Sequence, residues 1–198
     1  PWTDWIHNHY AGVAFMMLPL YVIILAALVH FMEHRHDMWT QLHALPVQRW
    51  HYYLAKMLFT LLLFLAAHVL FMLGLLLSGG VLGLIKPGSG LLQAAPPIGE
   101  MIILAGKTHI SILGLLALQS WVSWRFPHFI VSLLIGILGF VLSGLLGPEW
   151  PWIHLIPWAP PMVYMPDWLG EVSYAHWGGL TAPEWSSLAY ALLFTALG

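Results

Sequence analysis

Cysteine is absent from the 198 residues, which excludes disulfides and thiolate chemistry. Charge is scarce as well. Asp, Glu, Lys and Arg make up 7% of the chain, against about a quarter in soluble domains. With 60% hydrophobic residues, this composition excludes an ordinary water-soluble domain and assigns the chain to a bilayer. A net charge of −2 leaves no basic surface for nucleic acid. Neither an initiating methionine nor a signal peptide is present; the chain opens on the loop-like PWTDWIHNHY and stops at Gly198, a few turns into an apolar run. It is therefore expected to be a portion of a longer protein, without a first span and the end of the last.

What the sequence does hold is a set of long apolar runs. A helix needs about 20 apolar residues to cross the hydrocarbon core. Residues 11–32, 56–78, 98–124 and 128–147 meet that length, and 186–198 reads as the start of a fifth span. The expected fold is an all-α polytopic helical bundle forming a single transmembrane domain over 1–198, five spans of six being visible. Lys/Arg bias sets the sides. Arg35, Arg49 and Lys56 flank one loop and Arg125 marks a short turn, whereas Lys86 is alone in the opposite loops. Residues 33–55 and 125–127 are thus assigned to the cytoplasm, and 1–10, 79–97 and 148–185 to the outside. The segment 148–185 is too rich in proline for a spanning helix and too aromatic for a solvated loop. Short amphipathic or re-entrant helices at the outer interface fit it better. The twelve tryptophans are mostly accounted for by the membrane interfaces, where an apolar ring keeps its N–H wet.

Three short motifs compete for a chemical reading. Gly106-Lys107-Thr108 has the ending of a phosphate-binding loop, but the glycine which that loop requires five residues earlier is Met101. His30-Phe31-Met32-Glu33-His34 has the H-x-x-E-H pattern of a zinc protease, yet Glu100, the nearest downstream glutamate, lies on the other side of the expected membrane. His68 and His109 lie at a matched depth, roughly 22 Å from the cytoplasmic ends of their helices at about 1.5 Å per residue. Two facing histidines offer a haem-ligating pair, which defines the alternative reading of an electron-transfer subunit. Interhelical hydrogen bonding or cavity lining is the plainer reading of both. Lys107 reads first as a lysine that snorkels outward toward Glu100, seven residues back, and second as a pathway-lining charge.

The charge that the chain withholds elsewhere is gathered between the first two spans. Glu33 to Lys56 holds three of the six Lys/Arg residues, two carboxylates and four of the twelve histidines. Trp39, Leu42, Leu45 and Pro46 set apolar groups among these charges. Asp37 can start a short helix and Pro46 breaks it. An apolar ridge rimmed by charge is the form of a partner surface. A helix touching only lipid is the simpler alternative.

The run Leu42-x-x-Leu45-Pro46-Val47-x-Arg49, preceded by Glu33 and followed by Lys56 at the opening of the next span, resembles the first cytoplasmic loop of ABC-2 type permeases. The short turn Trp124-Arg125-Phe126, the glycine-rich span after it and the outer Pro157-Trp158 pair resemble the same family, in the lantibiotic-immunity and bacitracin-type branch. The resemblance implies a six-span permease subunit of an ATP-driven exporter in a bacterial plasma membrane, with no catalytic site and no cofactor of its own. ATP and Mg would sit on a separate ABC ATPase subunit, and a second permease copy would complete the pathway. Trp39, Leu42, Leu45 and Pro46 would form the coupling ridge, with Glu33, Asp37 and Arg49 pairing charges at its edges. A hydrophobic or peptide-like substrate is implied, capped at the dimer interface by 148–185.

Overall fold

The computed structural model describes residues 1–35, 49–126, 128–146, 150, 152–159 and 182–197. Among them there is no strand. The helices are α1 (Trp2–Gly12), α2 (Leu18–Arg35), α3 (Arg49–Ile85), α4 (Ile98–Arg125), α5 (Phe129–Leu146) and α6 (Ala182–Leu197). Trp50–Ile85, Ile98–Arg125 and Phe129–Leu146 are each long and apolar enough to cross a membrane, and Leu18–Met32 is a shorter apolar stretch. The protein is a polytopic helical membrane protein.

Residues 2–10, expected to form an outer loop, are helical and continue into α2 through a π turn at Val13–Met17. Trp2, Ile6 and Tyr10 fall at four-residue spacing and are all buried, so this stretch presents one apolar face to the bundle. The π turn has a local cause. The Leu18 N–H bonds the Val13 carbonyl, five residues back, and Pro19 follows with no N–H to offer the next carbonyl. The Trp2 indole donates to the Leu91 and Ala94 carbonyls at 2.8 and 2.9 Å, and Trp5 Nε1 donates to the Leu75 carbonyl at 3.3 Å. These bonds fix α1 to the far end of α3, where a Cβ on Gly79 would stand 2.5 Å from Trp2 Cζ3.

The 28-residue α4 is the buried axis of the bundle. It touches α2, α3, α5 and α6, and its most extensive interface is with α6. It begins after Pro96-Pro97 and ends where Phe126 turns extended ahead of Pro127, since a residue before proline is driven out of the helical region. Along α6, Ser187 Oγ accepts from the Gly114 N–H and donates to the Ser111 carbonyl, both at 2.7 Å, and Trp121 packs on Phe194 at 5.8 Å. The two helices therefore run parallel in one register. Gly114 permits this closeness: a Cβ there would lie 2.9 Å from the Ser187 backbone.

The ends of the bundle differ in character. At the end bearing Arg125, the Tyr53 hydroxyl donates to the Ala117 carbonyl at 2.9 Å, and Lys56 Nζ lies 5.7 Å from the centre of the Trp124 ring. Beyond α5 the chain folds back. Trp158 is so close to Gly139, in the middle of α5, that any Cβ there would collide with its indole. The Tyr190 hydroxyl on α6 donates to the Leu155 carbonyl.

Gly114→Ala should lower the thermal unfolding temperature of the detergent-purified protein, since backbone atoms cannot move aside as a flexible side chain would. The expected cost is about 1–3 kcal/mol. Gly74→Ala, where a Cβ meets nothing within 4 Å, should leave the melting temperature unchanged or raise it. Equal melting of both variants would contradict the close α4–α6 packing.

Candidate functional site

Several polar side chains of α4 point into the bundle, in layers. In a bilayer each must find a partner within the protein. The layer joining α1, α3 and α4 contains Tyr10, His68, Thr108 and His109. Thr108 Oγ1 donates to the Leu104 carbonyl at 2.9 Å, using its only proton. The Tyr10 hydroxyl, in contact with Thr108 Oγ1, must then be the donor to it. Tyr10 consequently accepts from His68, whose Nε2 lies 3.2 Å away. Direction is thereby fixed along the whole relay: His68 Nε2–H to Tyr10, Tyr10 to Thr108, Thr108 to the backbone of α4.

His109 takes the opposite tautomer. Its Nδ1 lies 2.7 Å from the Ala105 carbonyl, which can only accept, so the proton is on Nδ1. The rings of His68 and His109 are stacked, with centroids 4.9 Å apart and planes 11° from parallel. Phe64 packs edge-on against both. The matched depth read from the sequence thus places the two histidines in contact. The haem alternative does not fit this arrangement. Bis-imidazole ligation needs two rings aiming nitrogens at the iron from opposite faces of the macrocycle, whereas these are face to face with no room between them.

Lys107 differs from its first reading. It is 2% exposed, so it does not snorkel to water, and Glu100 is exposed at the start of the helix. The acid at its level is Glu184, fully buried in the first turn of α6. Ser187 is bonded to the Ser111 carbonyl; Glu184 is one turn before Ser187, and Lys107 one turn before Ser111. A carboxylate in the first turn also gains from the helix dipole. The sequence signal was present, since Glu184 is an acid opening an apolar run, but only the α4–α6 register gives it a partner level.

Nearer Arg125, Gln119 Nε2 donates to the carbonyl and hydroxyl of Ser132 at 2.9 and 3.0 Å, and Ser123 Oγ lies 2.6 Å from Ser132 Oγ. This layer joins α4 to α5. In the H-x-x-E-H stretch, the side chains of Glu33 and His34 lie outside the description; His30 donates from Nδ1 to the Ala26 carbonyl at 2.9 Å and meets Trp124 edge-on. No group of three His, Cys, Asp or Glu comes together among the described residues.

Of the expected coupling residues, Asp37, Trp39, Leu42, Leu45 and Pro46 lie outside the described residues. Glu33 and Arg49 are in the helices flanking them, with side chains also outside the description. His68, Lys107 and His109 are all buried or half-buried inside the bundle.

The fold and its buried polar layers define a multi-pass membrane protein built on a central helix. Residues 1–143 match the family described as ABC-2 family transporter protein. The chain belongs to that family, as a transmembrane component of a transporter. No curated protein and no solved structure matches it.

Two outcomes check these layers. Nitrogen-15 NMR of histidine-labelled protein should show the proton on Nε2 in His68 and on Nδ1 in His109, and Tyr10→Phe should cost about 1–3 kcal/mol by stranding the His68 donor; the reverse tautomers would break the relay. For the charges, Lys107→Met or Glu184→Gln alone should destabilise by about 3–5 kcal/mol, and the double variant by clearly less than the sum. Strict additivity in equilibrium unfolding would disprove their coupling.

Proposed function

We propose that this chain is the permease of an ATP-driven exporter in a bacterial plasma membrane. A separate ABC ATPase subunit would bind ATP and Mg and dock on residues 33–55 from the cytoplasm. Family membership supports the transport role. The observation that carries the coupling reading is the anchored base of that loop. The helices on either side of it, α2 and α3, both pack on α4. At their loop-proximal ends His30, Tyr53 and Lys56 close around Trp124. A load applied between α2 and α3 would therefore meet a tied structure rather than a slack turn.

In this reading Trp39, Leu42, Leu45 and Pro46 form the ridge that enters the ATPase. Glu33, Asp37 and Arg49 pair charges at its rim. The ridge must bind the ATPase differently in two states, because a partner with equal affinity for both moves no equilibrium. Two permease copies pair to enclose the path, and 148–185 caps it from outside. The substrate class is hydrophobic or peptide-like, in keeping with the resemblance to the lantibiotic-immunity and bacitracin-type permeases.

Affinity purification of the chain from its native membrane should bring down an ATPase subunit with ATP-hydrolysing activity. Leu45→Asp and Trp39→Asp should each dissociate the complex or lower permease-dependent hydrolysis at least about tenfold, the effect of losing roughly 1.4 kcal/mol at a buried anchor. Unchanged assembly and transport in both variants would sink the docking assignment.

A further inference from the structure

Between α3 and α4 lies a cavity of about 370 Å³, a size within the usual range of small-molecule sites. Its walls are Leu, Val, Ile and Met side chains, and its polar groups are the stacked pair His68 and His109. Leu65, Val69, Leu73, Ile98 and Ile102 are also exposed on the outer face of the bundle, so the cavity opens sideways, toward lipid.

The histidine pair leaves hydrogen-bonding capacity unused. The relay takes His68 Nε2–H and the Ala105 carbonyl takes His109 Nδ1–H. His68 Nδ1 and His109 Nε2 are buried, and neither has a hydrogen-bond partner among the described residues. His68 itself is 1% exposed. By the proton directions above, both unpartnered nitrogens in the neutral rings are acceptors. Buried polar groups in native proteins are nearly always satisfied, and a pair of orphaned acceptors at one cavity points to a donor arriving from outside.

We propose that this cavity binds a membrane-borne amphiphile, an apolar chain ending in a hydroxyl, whose one O–H proton is donated to His109 Nε2, on the less buried ring of the pair. A carboxylate or phosphate head has no proton to give. An ammonium head would enter a cavity whose lining includes no Asp or Glu, leaving its charge without a counterion. A hydroxyl supplies the one proton that His109 Nε2 accepts without that cost. Met72 and Met101 stand in the same lining. Their unbranched thioethers repack easily, so the head group can reach the shielded nitrogen by moving a methionine chain.

The test uses the chain alone in lipid nanodiscs, without ATPase or nucleotide, so that its failure and the failure of the transport reading are distinguishable. A diazirine-bearing twelve-carbon alcohol is photolysed in the sample and the labelled peptides are mapped by mass spectrometry. Saturable labelling confined to residues 65–76 and 98–109, competed by 1-dodecanol, is expected. The methyl ether of the probe should label about tenfold less, one hydrogen bond's worth, and His109→Phe should lower labelling by the alcohol to a similar degree. Met72→Trp, which fills the cavity without touching the relay, should also abolish saturable labelling. Labelling spread along the lipid faces of α3 and α5, equal labelling by alcohol and ether, or no effect of Met72→Trp would each overturn the proposal.

Discussion

A polar group inside a bilayer has no water to fall back on, and α4 carries polar groups along most of its length. Lys107, Thr108, Ser111, Gln119, Ser120 and Ser123 are all buried on this one helix. Each layer draws in a different neighbour. Thr108 reaches α1 through Tyr10 and then His68 on α3; Ser111 and Gly114 hold Ser187 on α6; Gln119 and Ser123 hold Ser132 on α5. Lipid tails are as apolar as leucine, so apolar contact alone gives the helices little reason to prefer one another over lipid. The hydrogen-bonded layers supply the preference, and with it the register of the bundle.

Such a core has a consequence for motion. Packed, hydrogen-bonded helices move between discrete arrangements more readily than they deform continuously. Under the proposed function, a push on the loop between α2 and α3 reaches α4 directly, because both helices rest on it. The π turn at Val13–Met17 interrupts the regular ladder above α2, and α1 beyond it is held by tryptophan bonds to the opposite end of the bundle. The relay residue Tyr10 lies three residues before that turn. A break in the regular ladder between α1 and α2 is thus placed one turn from Tyr10, the residue that joins α1 to the histidine pair.

The apolar runs of α3, α4 and α5 were legible in the sequence because hydropathy over about 20 residues is a direct statement of solvent. The helical start of the chain was not. In PWTDWIHNHY the face formed by Trp2, Ile6 and Tyr10 is diluted by Thr3, Asp4, His7 and Asn8, and its partners on α3 and in the 91–94 turn lie far away in sequence. His68 and His109 could be matched in depth by counting residues, but stacking and tautomers depend on Tyr10, which no local pattern links to them. Lys107 was misread for the same reason. Its own helix offered Glu100, whereas the acid at its level sits on α6, 77 positions later, and only the Ser187 register brings that level into view.

The absence of cysteine makes the coupling claim directly measurable, since any introduced thiol is unique in the chain. A photoreactive crosslinker attached to Leu42→Cys in the assembled, ATP-hydrolysing complex should capture the ATPase subunit, and the yield should change between nucleotide-free and ATP-bound states. The same reagent on Lys86→Cys, exposed beyond the other end of α3, should not capture it. No crosslink from position 42 in an active complex, or equal capture from both positions, would contradict the assignment of residues 33–55 as the coupling loop.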